Sequence, residues 1–442
     1  MHTLPQFALP FLALTLLFAT SESRGDFPLK DGDILVMAGD SITAQHLHSN
    51  YFEAFCYARY NKIKFGFRNS GVGGHTIPST LARFDYDIAA WKPTVVSVEL
   101  GMNDHGGTPT DKFVANMGTM VERIRDIKAR PVILSASPIN NGSTLAKMGS
   151  KNRLHEYAVA LKEFSGKKNI PYADQFHPLV DIWANNKPNE NRLANILSIK
   201  AIAGNKSLPG VEHLQAFLAA NEKDMDQLVS MQGDAVHPGA PGQLMMAAAL
   251  LKELGAESAV SSVTINTSGM SFFTGCKVTD MKASETGVSF DRLDDCLPFP
   301  IPDDARSALR LYPTILDMSQ YMLKVTGLKS GVYVLKVNKV PIATLPSKEL
   351  EAGVNLTAFG SDPKSKLANP IAAQGKAVLA AVSARAGLVS QWRGQSKAAH
   401  AENAPAELRA KLGMLTAKVA KADAQIRAAA QPKLLHFELT PQ

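Results

Sequence analysis

Cysteine is scarce in this chain, with three in 442 residues. An odd, small number rules out a small fold stapled throughout by disulfides. Cys276 and Cys296 lie in one strand-rich region and fit a pair in an oxidising compartment. They fit equally well as buried small hydrophobes, and Cys56 reads as a core residue of a helix. No dense block of lysine or arginine accompanies the formal net charge of +7, so the excess is a basic solvated surface and no nucleic-acid partner is expected. Internal repeats and low-complexity tracts are also missing. Beyond the N-terminus no apolar run is long enough to span a bilayer, and no membrane span is expected.

What is present suits a globular protein. Hydrophobic residues make up 45% of the chain and charged residues 20%, and the length allows two or three domains with a real core. Phe7 to Ala19 is an apolar run of signal-peptide length, with small residues placed for cleavage after Ser21 or Ser23. The preceding Met1-His2-Thr3 lacks the usual positive charge. No cysteine follows the run, which argues against a lipid anchor. Residues 1–23 are therefore expected to be a signal peptide, and the protein to be exported to the periplasm or the extracellular space.

Strand-like and helix-like segments alternate from Asp33 to about Gly255. Ile34–Ala38, Lys64–Asn69, Val95–Leu100, Pro131–Ser137 and Ile170–Ala173 read as strands. A helix with Phe113, Met117, Met120, Val121, Ile124 and Ile127 on one side follows the third. Pro241–Leu254 reads as the last helix. The alternation predicts an α/β domain over residues 30–255, a parallel sheet with helices on both faces. Residues 185–232 interrupt it as a helical insert, either a lid or plain packing. Residues 256–360 predict a small antiparallel β domain. Residues 361–442 predict a helical segment, with an apolar stripe from Leu408 to Ile426 and a final edge strand near Leu434–Leu439.

Gly39-Asp40-Ser41-Ile42 directly follows the first strand. Parallel sheets place functional groups at their strands' carboxyl ends, so Ser41 stands where a nucleophile is useful. A serine hydroxyl needs a base, and the base an orienting acid. Asp234-Ala235-Val236-His237 supplies both, flanked by Gly233 and Pro238-Gly239 in a loop. An acyl intermediate also needs oxyanion donors. The Ser41 N–H, the Gly74 N–H in Gly71-Val72-Gly73-Gly74 and the Asn103 side chain in Gly101-Met102-Asn103-Asp104 all follow strand ends.

These blocks, in this order, resemble the SGNH, or GDSL, hydrolase family over roughly Asp33 to Gly255. The resemblance implies a flavodoxin-like α/β/α fold and ester hydrolysis. Ser41 would be the nucleophile, His237 the base and Asp234 its orienter. Ser41, Gly74 and Asn103 would be the oxyanion donors, with no metal or cofactor required. Leu297-Pro298-Phe299-Pro300, Gly331-Val332-Tyr333, Leu350 to Leu356 and Gln391-Trp392-Arg393 resemble exported SGNH proteins of polysaccharide-degrading bacteria. That similarity, with export, points to an acylated carbohydrate or small ester as substrate. His75 departs from the Asp common after the oxyanion glycine.

His75 and His105 are candidate substrate contacts. Asp40 and Asp104 read as carboxylates bracing loops. His46 and His48, two apart, do not share a helix face and make a poor metal pair. Trp392-Arg393 reads as sugar stacking or, more ordinarily, as packing between domains. Two alternatives stay open from sequence: a glycan-binding protein that keeps the fold without activity, and a glycosidase or sulfatase acting at the same rim.

Overall fold

A computed structural model of the chain describes residue 27 and residues 29–139, 152–180, 233–361 and 367–442, with isolated positions at 200, 203, 204, 211 and 215. The expected signal peptide lies outside these residues, and the expected insert at 185–232 lies almost wholly outside them. Among the described residues, no helix is long and apolar enough to cross a membrane.

Five strands form one parallel sheet: β1 (Asp33–Gly39), β2 (Phe65–Gly71), β3 (Val95–Glu99), β4 (Arg130–Leu134) and β5 (Tyr172–Ala173). Their order is β2-β1-β3-β4-β5, the doubly wound flavodoxin-like arrangement. Helices cover both faces, so the strands carry apolar residues on either side. Leu35 and Met37 of β1 enter one buried cluster. Val36 and Ala38 enter the other. The first cluster is closed by α2 (His48–Arg59) and α7 (Ala240–Glu253). The second is closed by α5 (Thr110–Asp126) and α6 (Arg153–Lys168). Three short helices lie among these: α1 (Ser41–Ala44), α3 (Ile77–Leu81) and α4 (Phe84–Asp87).

Register fixes where chemistry can sit. Gly39 lies opposite both Gly71 and Glu99, Glu99 opposite Leu134, and Leu134 opposite Ala173. One row of residues therefore ends the sheet, and the turns after β1, β2 and β3 leave it side by side.

The second half differs from the sequence expectation in two ways. β6 (Ala259–Asn266) and β10 (Gln320–Thr326) pair in parallel, inside the mixed sheet β13-β10-β6-β7, where β7 is Phe272–Thr274 and β13 is Val354–Asn355. Parallel pairing needs a long crossover. The connection here spans residues 267–319, and its last part, Asp295 to Ser319, runs through short helical turns that an alternation of apolar residues does not reveal. The other sheet, β12-β11-β14-β9-β8, is antiparallel, with β8 Cys276–Ser284, β9 Gly287–Asp294, β11 Val332–Val337 and β12 Val340–Pro346. Its central strand is β14 (Leu435–Pro441), bonded to β9 on one side and β11 on the other. The expected edge strand is thus central, its Leu435, Phe437 and Leu439 buried in that sheet's core. Period-two burial shows that a strand has one face in; it does not name the strand's neighbours. All three cysteines are free thiols.

The long helices α8 (Pro370–Ala399) and α9 (Ala406–Ala429) form a hairpin. It packs on the parallel sheet: Val389, Trp392, Leu415 and Val419 join one cluster of that sheet, and Val378, Val382 and Ile426 the other. Trp392 stacks on Trp91 with ring centroids 3.6 Å apart, and its indole N–H donates to Thr416 Oγ1 at 2.8 Å. Packing, not sugar stacking, is what Trp392 does.

Candidate active site

Ser41 is the first residue of α1, directly off the end of β1. The helix starts this close to the sheet because position 39 has no side chain. A Cβ there would lie 2.0 Å from Thr43 Oγ1 and 3.0 Å from the Glu99 carbonyl oxygen. A serine after a strand is also a good helix cap. Here the cap is Asp40, whose Oδ1 accepts the Ile42 N–H at 3.0 Å. The Ser41 hydroxyl is left for another partner, and His237 Nε2 lies 2.8 Å from its Oγ.

Asp234 and His237 are held by a closed turn. Gly233 and Pro238 form a bridge, and the Asp234 N–H donates to the His237 carbonyl at 3.1 Å. Gly233 has φ +77°, and a Cβ on it would lie 2.1 Å from that same carbonyl oxygen. Only glycine fits there. Asp234 Oδ1 accepts the N–H groups of Val236 and His237 at 2.7 and 2.8 Å, and Oδ2 faces His237 Nδ1 at 2.9 Å. The backbone N–H of His237, then its ring, then the Val236 N–H hold this carboxylate at about 2 although it is solvent-exposed. Gln243 of α7 braces the turn from behind. Its Nε2 donates to the Pro238 carbonyl at 2.9 Å, and its Oε1 accepts the His48 N–H at 3.0 Å.

The turn after β2 lies against the serine. The Val72 N–H donates to the Gly39 carbonyl at 3.1 Å, and a Cβ on Gly73 would lie 3.9 Å from Ser41 Cβ. Gly74 follows, exposed and at φ +76°. Asn103 is exposed as well, and its Nδ2 donates one hydrogen to the His75 carbonyl at 3.1 Å. A side-chain amide carries two, so the other is available to a substrate. His75 and His105 are half-buried. Arg83 Nε donates to His75 Nδ1 at 3.2 Å, whereas His105 Nδ1 is turned onto the Met102 carbonyl of its own loop. All seven sequence-named residues thus stand on the turns after β1, β2 and β3 or on the Asp234 turn. The direct contacts join Ser41 to His237, His237 to Asp234, and Asn103 to His75.

Carboxylates underlie the serine, and one of them escaped the sequence reading. Asp104 Oδ1 accepts the Ile77 N–H at 3.2 Å, so Asp40 and Asp104 do brace loops. Glu99 is fully buried, and its Oε2 accepts from Thr43 Oγ1 at 2.6 Å. Burial, and next the nearby Asp40, push it well above the carboxylate range. The signal was an acid closing a mostly apolar buried strand, Val95-Val96-Ser97-Val98. Also unnoticed was a second Asp-x-x-His, in which buried His177 Nδ1 meets Asp174 Oδ2 at 2.6 Å. It repeats the local geometry of the Asp234 turn, but His237 is the histidine at the serine.

Burial also pushes Asp40 from 3.8 to about 6, against the Ile42 N–H and His237. A group raised on folding favours the fold most below its unfolded pKa and loses that contribution as pH rises through the folded one. The wild type is therefore expected to lose stability between 3.8 and about 6 from this group. Asp40→Asn keeps the cap without titrating, so thermal melts should show the variant gaining on the wild type across that window. Parallel curves would refute the assignment.

A family model described as the GDSL-like lipase/acylhydrolase family matches residues 37–244. Among solved structures, a gut microbial diltiazem-metabolizing enzyme, BT4096, is 21% identical; the match covers 95% of this chain and 99% of that one, with a TM-score of 0.69. The two share the fold across the parallel sheet, the β sheets and the hairpin. A catalytic mutant of Axe2, an acetylxylan esterase from Geobacillus stearothermophilus, is 18% identical over 52% of this chain and 97% of its own, with a TM-score of 0.38. Axe2 itself gives 18% identity over 51% and 96%, with a TM-score of 0.36. No curated protein matches the sequence significantly.

Proposed function

Residues 37–244 are an SGNH (GDSL-like) hydrolase domain, whose chemistry is the hydrolysis of ester bonds, and from that premise we propose that the chain is an exported serine esterase removing small acyl groups from a carbohydrate. One observation carries the mechanism: His237 Nε2 lies 2.8 Å from Ser41 Oγ while its Nδ1 lies 2.9 Å from Asp234 Oδ2. Ser41 Oγ attacks the ester carbon, and its proton passes to His237 Nε2. Asp234 holds Nδ1–H and offsets the imidazolium charge. The oxyanion forms among the Ser41 N–H, the Gly74 N–H and the second Asn103 N–H. Collapse expels the alcohol with the proton from His237. Water, deprotonated by the same nitrogen, then releases the acid and restores Ser41.

The openness of the rim supports the substrate class. Among the described residues, Gly73, Gly74, Asn103 and Asp234 are exposed and Ser41 is half-buried, so the rim leaves room for a bulky polar alcohol. Export rests on the apolar Phe7–Ala19 segment. The test is product analysis on acetylated polysaccharide together with a fluorophosphonate probe. Free acetate, and label on the Ser41 peptide, are expected. Sulfate or new reducing ends without acetate, or an unlabelled Ser41, would overturn the reading.

A further inference from the structure

His75 is tied at three points. Its N–H donates to the Val72 carbonyl at 3.2 Å, its carbonyl accepts from Asn103, and its ring Nδ1 faces Arg83 Nε at 3.2 Å. A guanidinium N–H can only donate. Nδ1 must therefore offer its lone pair, and the neutral ring carries its hydrogen on Nε2. Burial and the adjacent Arg83 both lower this histidine's pKa, which keeps the ring neutral.

Arg83 is itself fixed. Its Nη1 donates to Ser70 Oγ at 2.7 Å and pairs with Asp87. Asp87 is gripped from the other side by Arg393 of α8, with Nε to Oδ1 at 2.6 Å and Nη2 to Oδ2 at 2.8 Å. Arg393 Nη1 also donates to the Gly71 carbonyl at 3.0 Å, the last residue of β2. A chain of directional bonds thus runs from the C-terminal hairpin to the tautomer of one histidine beside the oxyanion glycine.

We propose that His75 is a specificity-determining residue that presents a fixed Nε2–H donor to an oxygen acceptor on the alcohol side of the ester, a hydroxyl or ring oxygen of a sugar, and that Arg393 is the positioning residue which holds that donor through Asp87 and Arg83. The inference rests on the esterase reading. A small acyl group such as acetyl has one acceptor, its carbonyl oxygen, and the oxyanion donors take it. A further donor one residue along the same turn has a partner only on the alcohol.

The test compares a mono-O-acetylated methyl glycoside with cyclohexyl acetate, which has the ring but no acceptor oxygens on it. His75→Leu is expected to lose up to about tenfold more kcat/KM on the glycoside than on cyclohexyl acetate, chiefly through KM, the upper end of what one hydrogen bond contributes. His75→Gln, whose amide can donate from a similar place, should recover most of the difference, and Arg393→Gln should show a smaller loss of the same selectivity. Selective ¹⁵N-histidine spectra of the full chain should show His75 Nδ1 unprotonated, and Arg393→Gln should mix the tautomers. Equal losses on both esters, or a protonated Nδ1 in the wild type, would overturn the proposal while the esterase reading stands. A wild type that cleaves neither ester, with Ser41 unlabelled, would overturn both.

Discussion

Ser41→Ala is expected to lower kcat for p-nitrophenyl acetate by about 10⁴-fold or more, with the fold unchanged. The side chain is half-buried, opens a four-residue helix and is not the helix cap, so its removal leaves Asp40 and the Ile42 N–H as they are. His237→Ala should cost about as much, and the double variant no more than either, because groups acting on one proton are not additive. Asp234→Asn should cost somewhat less than either, on the order of 10⁴-fold. Its Oδ1 can still accept the Val236 and His237 N–H groups, so the turn persists. The amide that replaces Oδ2 is a donor, however, and favours the wrong histidine tautomer. Asp234 is held at about 2, so it stays charged over the working range and its own titration does not shape the acid side of the wild-type pH profile. A graded series measured by initial rates would support the arrangement. Additive losses in the double variant would contradict it.

The parallel sheet was readable because β1, β3 and β4 carry largely apolar runs ending in glycine or polar turns, and because register converts sequence order into a rim. Gly39, Gly71 and Glu99 end their strands on one line, so the blocks following them had to meet. The partner of Ser41 was readable from Asp234-x-x-His237 and its flanking glycines. What sequence could not weigh was the equally spaced Asp174-x-x-His177, since spacing describes a turn and not its distance from a serine. Glu99 stayed hidden inside an apolar run because an acid there is informative only once Thr43 and Asp40 are known to lie against it. The central place of β14 and the parallel β6–β10 pair depend on contacts far apart in sequence, and local alternation carries no record of them. Arg393 was noticed only as the neighbour of a tryptophan; its role needs Asp87, 306 positions away.

The hairpin that carries Arg393 is locked to the parallel sheet by a buried ion cluster, and breaking it should give a large stability loss. Arg385 of α8 pairs with Glu53 of α2, bonds the Phe67 carbonyl of β2, and reaches Asp423 of α9 at 3.4 Å. Arg68 of β2 meets Asp423 at 2.8 Å. Two guanidinium groups and two carboxylates balance, and the Arg385 and Glu53 side chains are 1% and 0% exposed. Burial pushes Glu53 up to about 7 even with Arg385 opposing it. Arg385→Met leaves that acid and the Phe67 carbonyl without their donor, and removing one partner of a buried pair costs about 3–5 kcal/mol. The urea midpoint should fall accordingly, at unchanged slope. Arg385→Met with Glu53→Leu removes both charges and should recover part of the loss, because an apolar pair of similar volume is tolerated where a lone charge is not. The recovery would be incomplete, since Asp423 and Phe67 lose contacts in both variants. A single variant as stable as the wild type would mean that the hairpin is held by Trp392, Val389 and Val419 alone. The same loss must reach the active site, because β2 runs from Phe67 and Arg68 into Gly71 and the Gly74 turn. Esterase activity and global structure should therefore be lost together in Arg385→Met, at the same lowered urea midpoint.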